Sequence, residues 1–191
     1  MLSSTENQTK GAQMNKELHC AEMDEWVETL RAGEMIYLSG LVYTARDAAH
    51  KKMMALLDGG LPLPFDLRRT ALYYAGPTPA PDGCPIGACG PTTSSRMDPY
   101  LPRLYALGLR LTIGKGERSP AVYQALQQYG GAYLSAIGGA GALYARHVRS
   151  CREVAFPKLG CESVKALELD RFPLYVAADC RGHTIFERQA R

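Results

Sequence analysis

The spacing of apolar residues alternates between strand-like and helix-like stretches along most of the chain. Residues 35–43 are rich in β-branched and aromatic side chains and predict a strand interrupted at Gly40. Apolar positions then predict a helix over 47–57, which Gly59 and Gly60 end. Further strands are predicted over 71–75, 109–113, 132–137, 151–156, 174–178 and 183–187, and further helices over 98–107, 120–129 and 142–149. This alternation predicts a compact α/β domain with a central mixed sheet.

The chain length suits one domain with a short extension. The first residues are polar and lack the apolar core of a signal peptide, so residues 1–18 are predicted to be a flexible leader and residues 19–191 a single domain. No stretch reaches the ~18 to 20 apolar residues that a membrane span needs. The expected location is therefore the cytoplasm.

Charge and cysteine content exclude several classes of function. The net charge of +3 comes from dispersed basic residues, which argues against nucleic acid and against a polybasic membrane anchor. The six cysteines form no C-x-x-C pair, and without a secretory signal a disulfide framework is not expected. Cys84 and Cys89 could supply two thiolate ligands, but no second pair has ligand spacing. We expect reduced cysteines that serve as small apolar residues, and no metal site within this chain.

The stretch from Gly90 to Met97 is the strongest candidate for chemistry. A Gly-Pro turn precedes four consecutive hydroxyl residues and Arg96, and a helix-compatible run follows. Hydroxyl side chains cap helix starts, and the free backbone N–H groups at such a start attract anions. Thr92 and Thr93 could therefore be helix caps and nothing more, or could face a bound carboxylate or phosphate.

Two further basic groups stand at predicted junctions between elements. Arg46 opens the helix that follows the first strand, and Lys115 lies between two glycines after the strand over 109–113. The simpler interpretations are a structural Arg46–Asp47 contact with a surface His50, and an exposed turn lysine at 115. The full phosphate-loop pattern around Lys115 and the dinucleotide pattern around 138–141 are both incomplete, so a tight strand-to-helix turn is preferred for the latter.

Four segments in this order resemble one known family of enzymes. They are residues 38–50 (LSGLVYTARDAAH), 76–79 (GPTP), 86–98 (IGACGPTTSSRMD) and 113–116 (IGKG). Together they are similar to the C-terminal domain, or separate β subunit, of class I iron–sulfur hydro-lyases, the fumarate hydratase and tartrate dehydratase family. The resemblance covers residues 25–188. Ser95, where family members often carry Gly, and His183, where Asn is expected, depart from the pattern.

The resemblance implies a swivelling β/β/α domain that closes over a [4Fe-4S] cluster. By the same resemblance, the cluster is held by cysteines of a partner α subunit, in an α2β2 assembly or a homodimer, and not by this chain. Thr92 is then the base that removes a proton next to a carboxylate. Arg46, Arg96, Lys115 and Thr93 contact the dicarboxylate substrate.

Three functions remain open at this point. The amino-acid sequence of residues 43–50 and 76–80 is more similar to fumarate hydratase β subunits, which favours a β subunit of that enzyme that is active only with its α partner. A tartrate dehydratase β subunit is the alternative within the family. A non-catalytic module that binds anions or supports assembly is the alternative from another class.

Overall fold

Seven β-strands form one mixed sheet, and five of them close into a barrel. The computed structural model describes residues 16–186. The strands are β1 (Lys16–His19), β2 (Met35–Thr44), β3 (Ala71–Tyr73), β4 (Leu111–Gly114), β5 (Ala132–Ser135), β6 (Val148–Ala155) and β7 (Val164–Ala178).

Strand pairing explains how the barrel closes. Strands β2, β3, β4 and β5 are parallel neighbours in that order. Strand β7 runs antiparallel to both β5 and β2, so it joins the two ends of the parallel set. The short β1 pairs with the first half of β2, and β6 pairs with the first half of β7. All four parallel strands therefore present their carboxyl ends at one end of the barrel.

Short helices connect and cover the strands. They are α1 (Met23–Trp26), α2 (Asp47–Asp58), α3 (Leu101–Ala106), α4 (Pro120–Tyr129) and α5 (Gly141–Ala145), with 3-10 helices at Cys20–Glu22, Val27–Thr29, Ser94–Tyr100 and Pro157–Glu162. Helix α4 begins at a Ser-Pro pair and ends at Gly130, whose φ of 65° is left-handed.

Alternate strand residues contribute to two apolar clusters. Tyr73 and Ile113 belong to the cluster that α1 and its flanking 3-10 helices join. Leu72 and Tyr133 belong to the second, which α2, α3 and α4 cover. Because those three helices pack on the second set, the first set faces the barrel interior. The period of two along each strand sorts the side chains between these cores.

The predicted class is confirmed, with one correction to the architecture. The protein is a mixed α/β domain, but its central sheet closes into a five-stranded barrel. Closure depends on β2 pairing with β7, where Met35 lies opposite Tyr175. Local periodicity carries no information on such distant pairing.

Two predicted elements near the C-terminal half are wrong. The helix expected over 142–149 ends at Ala145, and Val148 already begins β6, because pairing with β7 outweighs local helix preference. The strand expected over 183–187 is only a single bridge between Thr184 and Ala178. The strand expected over 174–178 is the last part of the longer β7, which begins at Val164.

Some expectations fall partly outside the described residues. Residues 16–18 of the predicted leader belong to β1, and residues 1–15 and 187–191 are not described. No helix within 16–186 is long and apolar enough to cross a membrane.

All six cysteines are free, and three of them match the expected apolar role, because Cys151 is partly buried and packs against the first apolar cluster. Cys20 and Cys89 are buried, whereas Cys84 and Cys161 are exposed.

Candidate active site

The predicted site residues lie at the carboxyl ends of the parallel strands. Arg46 follows β2 and Lys115 directly follows β4. Arg96 stands in the 3-10 helix that precedes α3. Loops at the carboxyl ends of parallel strands are the usual ligand sites of α/β folds, because several chain segments converge there.

Backbone hydrogen bonds on both sides fix the position of Thr92. Its N–H donates to the carbonyl of Tyr74 (2.6 Å), and its carbonyl accepts from the N–H of Lys115 (3.3 Å). The N–H of Ser94 donates back to the carbonyl of Lys115 (2.9 Å). The segment with Thr92 and Thr93 therefore lies between the ends of β3 and β4, and it joins Thr92 to Lys115 in one rigid unit.

The four consecutive hydroxyl residues have different environments. Ser94 is buried, and its hydroxyl lies 2.9 Å from that of Tyr133. A Cβ atom at Gly114 would lie 2.1 Å from Ser94 Oγ, so this close approach requires glycine at the end of β4. Thr93 precedes the 3-10 helix but its side chain makes no capping hydrogen bond, so the capping interpretation is wrong for this residue.

Thr92 remains available for chemistry. It is half-buried, and its hydroxyl has no hydrogen bond to another residue within 16–186. A fixed backbone with an uncommitted hydroxyl is the arrangement expected of a reacting group rather than of a cap.

Arg96 is held by a carboxylate of α2. Its Nε and Nη2 donate to the two oxygens of Asp47 at 2.8 and 2.7 Å. This bidentate pair fixes the plane of the guanidinium. The Arg96 side chain is still 49% exposed, so its remaining N–H groups can reach a ligand.

Arg46 lies in the same chain of charges. Its Nη2 is 3.3 Å from Glu162 Oε1, and its Nε is 3.6 Å from Asp47 Oδ2. The guanidinium lies over Gly76, where a Cβ atom would come within 2.9 Å of Nη1. The buried Nε has no hydrogen-bond partner among the described residues. Asp47 thus links two arginines that are far apart in the sequence and that were both predicted to bind the substrate.

Sequence analysis did not identify Glu162 as part of this cluster. Its Oε2 accepts a hydrogen bond from the N–H of Ala48 (3.0 Å), in the first turn of α2. The sequence does hold one signal that α2 needs an acceptor from elsewhere, which is the residue type at the N-cap position before this helix. Arg46 has no oxygen with which to cap the free N–H groups, so an acceptor must come from elsewhere.

Lys115 is the least paired of the three cations. Its ammonium has no ion pair or hydrogen bond with another residue in the described part of the chain. Its side chain lies against Gly138, where a Cβ atom would be 3.6 Å from Nζ. The glycine turn between β5 and α5 therefore leaves room for this lysine.

His50 is buried, so the simpler interpretation of this segment, with a surface histidine, is wrong. Its Nδ1 lies 2.9 Å from the carbonyl of Arg46, and its ring stacks on Tyr100. Burial lowers the pKa of His50 to about 4, so the imidazole is neutral near pH 7. With Nδ1 donating to that carbonyl, the buried Nε2 is an acceptor without a partner among residues 16–186.

A buried ion pair, Arg118 with Asp98, lies behind the site and was also missed. Arg118 Nε donates to Asp98 Oδ1 at 2.7 Å, and the Arg118 side chain is 0% exposed. The guanidinium lies 5.3 Å from the ring centre of Tyr74 and 4.8 Å from that of Tyr133. An open cleft of about 700 Å³ borders this pair on the side of Thr93.

The described residues do not fit an iron–sulfur cluster. Residues 16–186 contain no group of three or more His, Cys, Asp or Glu side chains that could hold a metal ion. Burial raises the pKa of both Cys20 and Cys89 to about 12, so these two thiols stay protonated.

Comparison with known proteins gives a consistent result. A family model described as "Fumarase C-terminus" matches residues 2–189. A protein of Methanocaldococcus jannaschii named "Putative L(+)-tartrate dehydratase subunit beta" is 38% identical over 167 residues, which cover 84% of this chain and 86% of the relative.

Longer proteins match over the same region. "Fumarate hydratase class I, anaerobic" of Escherichia coli is 38% identical over 153 residues, which cover 79% of this chain and 28% of the relative. "Fumarate hydratase 2" of Leishmania major is 37% identical over 158 residues, covering 82% of this chain and 28% of the relative. The chain therefore corresponds to just over a quarter of the length of these fumarate hydratases.

Proposed function

The chain belongs to the fumarase C-terminal family, and from this premise we propose that it is the β subunit of a hydro-lyase that acts on a hydroxy-dicarboxylate. The favoured reaction is the reversible hydration of fumarate to malate. In the direction of elimination, a proton leaves the carbon next to one carboxylate and the hydroxyl leaves the neighbouring carbon. Fumarate and water are the products.

Thr92 is the proposed base. Its backbone is hydrogen-bonded to Tyr74 and Lys115, so its main chain has a fixed position at the end of the barrel. A threonine hydroxyl is a weak base unless nearby cations favour its alkoxide. Lys115, whose ammonium has no partner among the described residues, is the group proposed to supply that charge.

Arg46, Arg96 and Lys115 are proposed to bind the substrate, together with Thr93. Removal of a proton next to a carboxylate places a second negative charge on that carboxylate. Cations fixed in advance stabilise this charge as it develops. Arg96 suits this role because Asp47 holds its guanidinium while nearly half of the side chain stays exposed.

An α partner completes the proposed enzyme. The Methanocaldococcus relative is named a β subunit, which implies a second kind of subunit in that protein. We propose that such a partner holds the [4Fe-4S] cluster and supplies the acid for the departing hydroxyl, in a cytoplasmic α2β2 assembly. Swivelling of this domain against the partner would exclude water from the substrate.

Tartrate dehydration is the second candidate. It is favoured by the match to the "Putative L(+)-tartrate dehydratase subunit beta", which extends over 86% of that relative. The cation cluster fits either substrate, because both carry two carboxylates.

The single observation that carries the proposal is the backbone attachment of Thr92 to Lys115 beside the Arg46–Asp47–Arg96 cluster. The test is co-purification of the chain with its α partner, followed by assays with malate, fumarate and tartrate. Thr92→Ala and Arg96→Ala should each lower kcat/KM by roughly 10²- to 10³-fold, as for one group that stabilises developing charge.

Matched controls separate chemistry from folding. Ser95→Ala removes an exposed hydroxyl of the same turn, and Arg103→Ala removes an exposed arginine that pairs with Asp58 on another face. Both should keep the activity of the natural chain. Full activity of Thr92→Ala and Arg96→Ala in the complex would instead identify a non-catalytic assembly module.

A further inference from the structure

We infer that Glu162 is the positioning residue for Arg46. This role rests on the proposed binding of a dicarboxylate at the same cations. Glu162 ends the 3-10 helix Pro157–Glu162, far along the chain from α2. Its carboxylate nevertheless reaches the start of α2, where Arg46 stands. The two oxygens of this carboxylate perform two separate tasks.

One oxygen replaces the missing cap of α2. Oε2 accepts from the N–H of Ala48 at 3.0 Å, whereas Arg46, in the N-cap position, makes no side-chain capping bond. A carboxylate at this end also interacts favourably with the helix dipole. If capping were its only task, the second oxygen would need no protein partner.

The other oxygen holds the guanidinium of Arg46. Oε1 lies 3.3 Å from Nη2, and both side chains are about three-quarters buried. Asp47 approaches the same guanidinium only at 3.6 Å, and both of its oxygens accept hydrogen bonds from Arg96. Glu162 is therefore the closer carboxylate to Arg46, and the one not shared with the second arginine.

Arg46 needs such a partner for electrostatic reasons. A cation at a helix N-terminus is disfavoured by the dipole, and Arg96 brings a second positive charge to Asp47. The carboxylate of Glu162 beside Arg46 offsets this repulsion. About one-fifth of the Arg46 side chain stays exposed, so a ligand can still reach the bracketed guanidinium.

Two substitutions separate the tasks of the carboxylate. Glu162→Gln keeps an oxygen that can accept from Ala48 but loses the charge that attracts Arg46. Glu162→Ala loses both. In the complex with the α partner, both variants should raise KM for the dicarboxylate by about 10-fold, which corresponds to about 1.4 kcal/mol of binding free energy lost when Arg46 is no longer held in place. The value of kcat should change by less than about threefold, because Thr92 is untouched.

A chemical readout does not depend on activity. The rate at which phenylglyoxal modifies Arg46, followed by mass spectrometry of the peptide, should rise in both variants because the guanidinium is released. Arg103 serves as the internal reference and should react at one rate throughout. Hydrogen exchange at the Ala48 amide should accelerate in Glu162→Ala and stay slow in Glu162→Gln.

Glu28→Gln is the matched control, since Glu28 also pairs with an arginine, Arg110, but away from the site. It should leave KM and Arg46 reactivity unchanged. Unchanged KM and unchanged Arg46 reactivity in both Glu162 variants would show that the carboxylate only caps α2, and would overturn the inference. If the natural complex turns over no dicarboxylate, the proposed function fails, while Arg46 reactivity still tests the role of Glu162.

Discussion

Two sets of arginines behind and at the end of the barrel differ in how completely the protein satisfies them. Arg118 is fully buried, pairs with Asp98 and faces the rings of Tyr74 and Tyr133. Arg46 and Arg96 are partly exposed and share Asp47, and they keep N–H groups that no described residue accepts.

The difference indicates which charges maintain the fold and which ones bind. Every strong interaction of Arg118 is made inside the protein, so a ligand would have nothing to add. Arg46 and Arg96, the rim cations, are oriented by carboxylates, but some of their N–H groups have no acceptor within residues 16–186. This state favours the binding of an anion. Partial satisfaction, rather than charge alone, therefore distinguishes the candidate site.

The sharpest test of this comparison is Arg118→Met. The substitution leaves the carboxylate of Asp98 buried without its cation, which should lower the free energy of unfolding by about 3–5 kcal/mol. Urea denaturation of the chain measures this change. The double variant with Asp98→Asn should recover part of the loss, because no buried charge then lacks a partner.

A loss below about 1 kcal/mol for Arg118→Met would place this arginine with the rim cations. The contrast between the two regions would then fail.

His50 lies between the two regions and gives the next largest effect. Its pKa of about 4 in the folded protein is below the ordinary 6.5, so the unfolded chain takes up the proton first as pH falls. The contribution of the neutral, buried His50 to the free energy of unfolding is complete above pH 6.5 and is lost as the pH falls towards 4. The loss should be about 3 kcal/mol at 1.4 kcal/mol per pKa unit.

His50→Phe keeps a ring against Tyr100 but cannot titrate. Urea denaturation at several pH values should therefore show a smaller loss of stability between pH 6.5 and 4 than in the natural chain. Equal slopes for the two proteins would contradict a buried neutral histidine.

The smallest stability effect is expected at the rim. Arg96→Gln removes a pair whose arginine is 49% exposed, so the free energy of unfolding should change by less than about 1 kcal/mol. Arg103→Gln, at a similarly exposed pair, is the control in the same thermal or urea experiment. A loss as large as that of Arg118→Met would assign Arg96 to the structure rather than to binding.

The sequence predicts much of the local structure and the chain segments of the site. The strand over 35–43 and the helix over 47–57 agree with β2 and α2 to within one residue at each end. Both elements have a clear apolar pattern, and glycine marks the end of α2 at Gly59, which are local signals. The resemblance predicts Thr92, Arg96 and Lys115 as site residues, and the structure joins their segments through backbone hydrogen bonds and the 3-10 helix.

What the sequence could not predict depends on contacts between distant residues. The pairing of β2 with β7 closes the barrel, and the contact of Glu162 with Ala48 caps α2. Neither leaves a periodic pattern. Burial of His50 likewise follows from Tyr74 and Tyr100 packing around it, which the polar character of the residue did not indicate.

The long pairing of β2 with β7 also has a consequence for how the chain reaches its native state. Met35 pairs with Tyr175 and Thr44 with Lys165, so ring closure joins segments separated by most of the domain. Contacts between residues so distant in sequence slow folding, because the entropy of closing the long loop is lost before the strand pairing stabilises the chain. During synthesis, β2 therefore cannot complete its pairing until β7 has been made, and until then the growing chain exposes an unpaired strand edge.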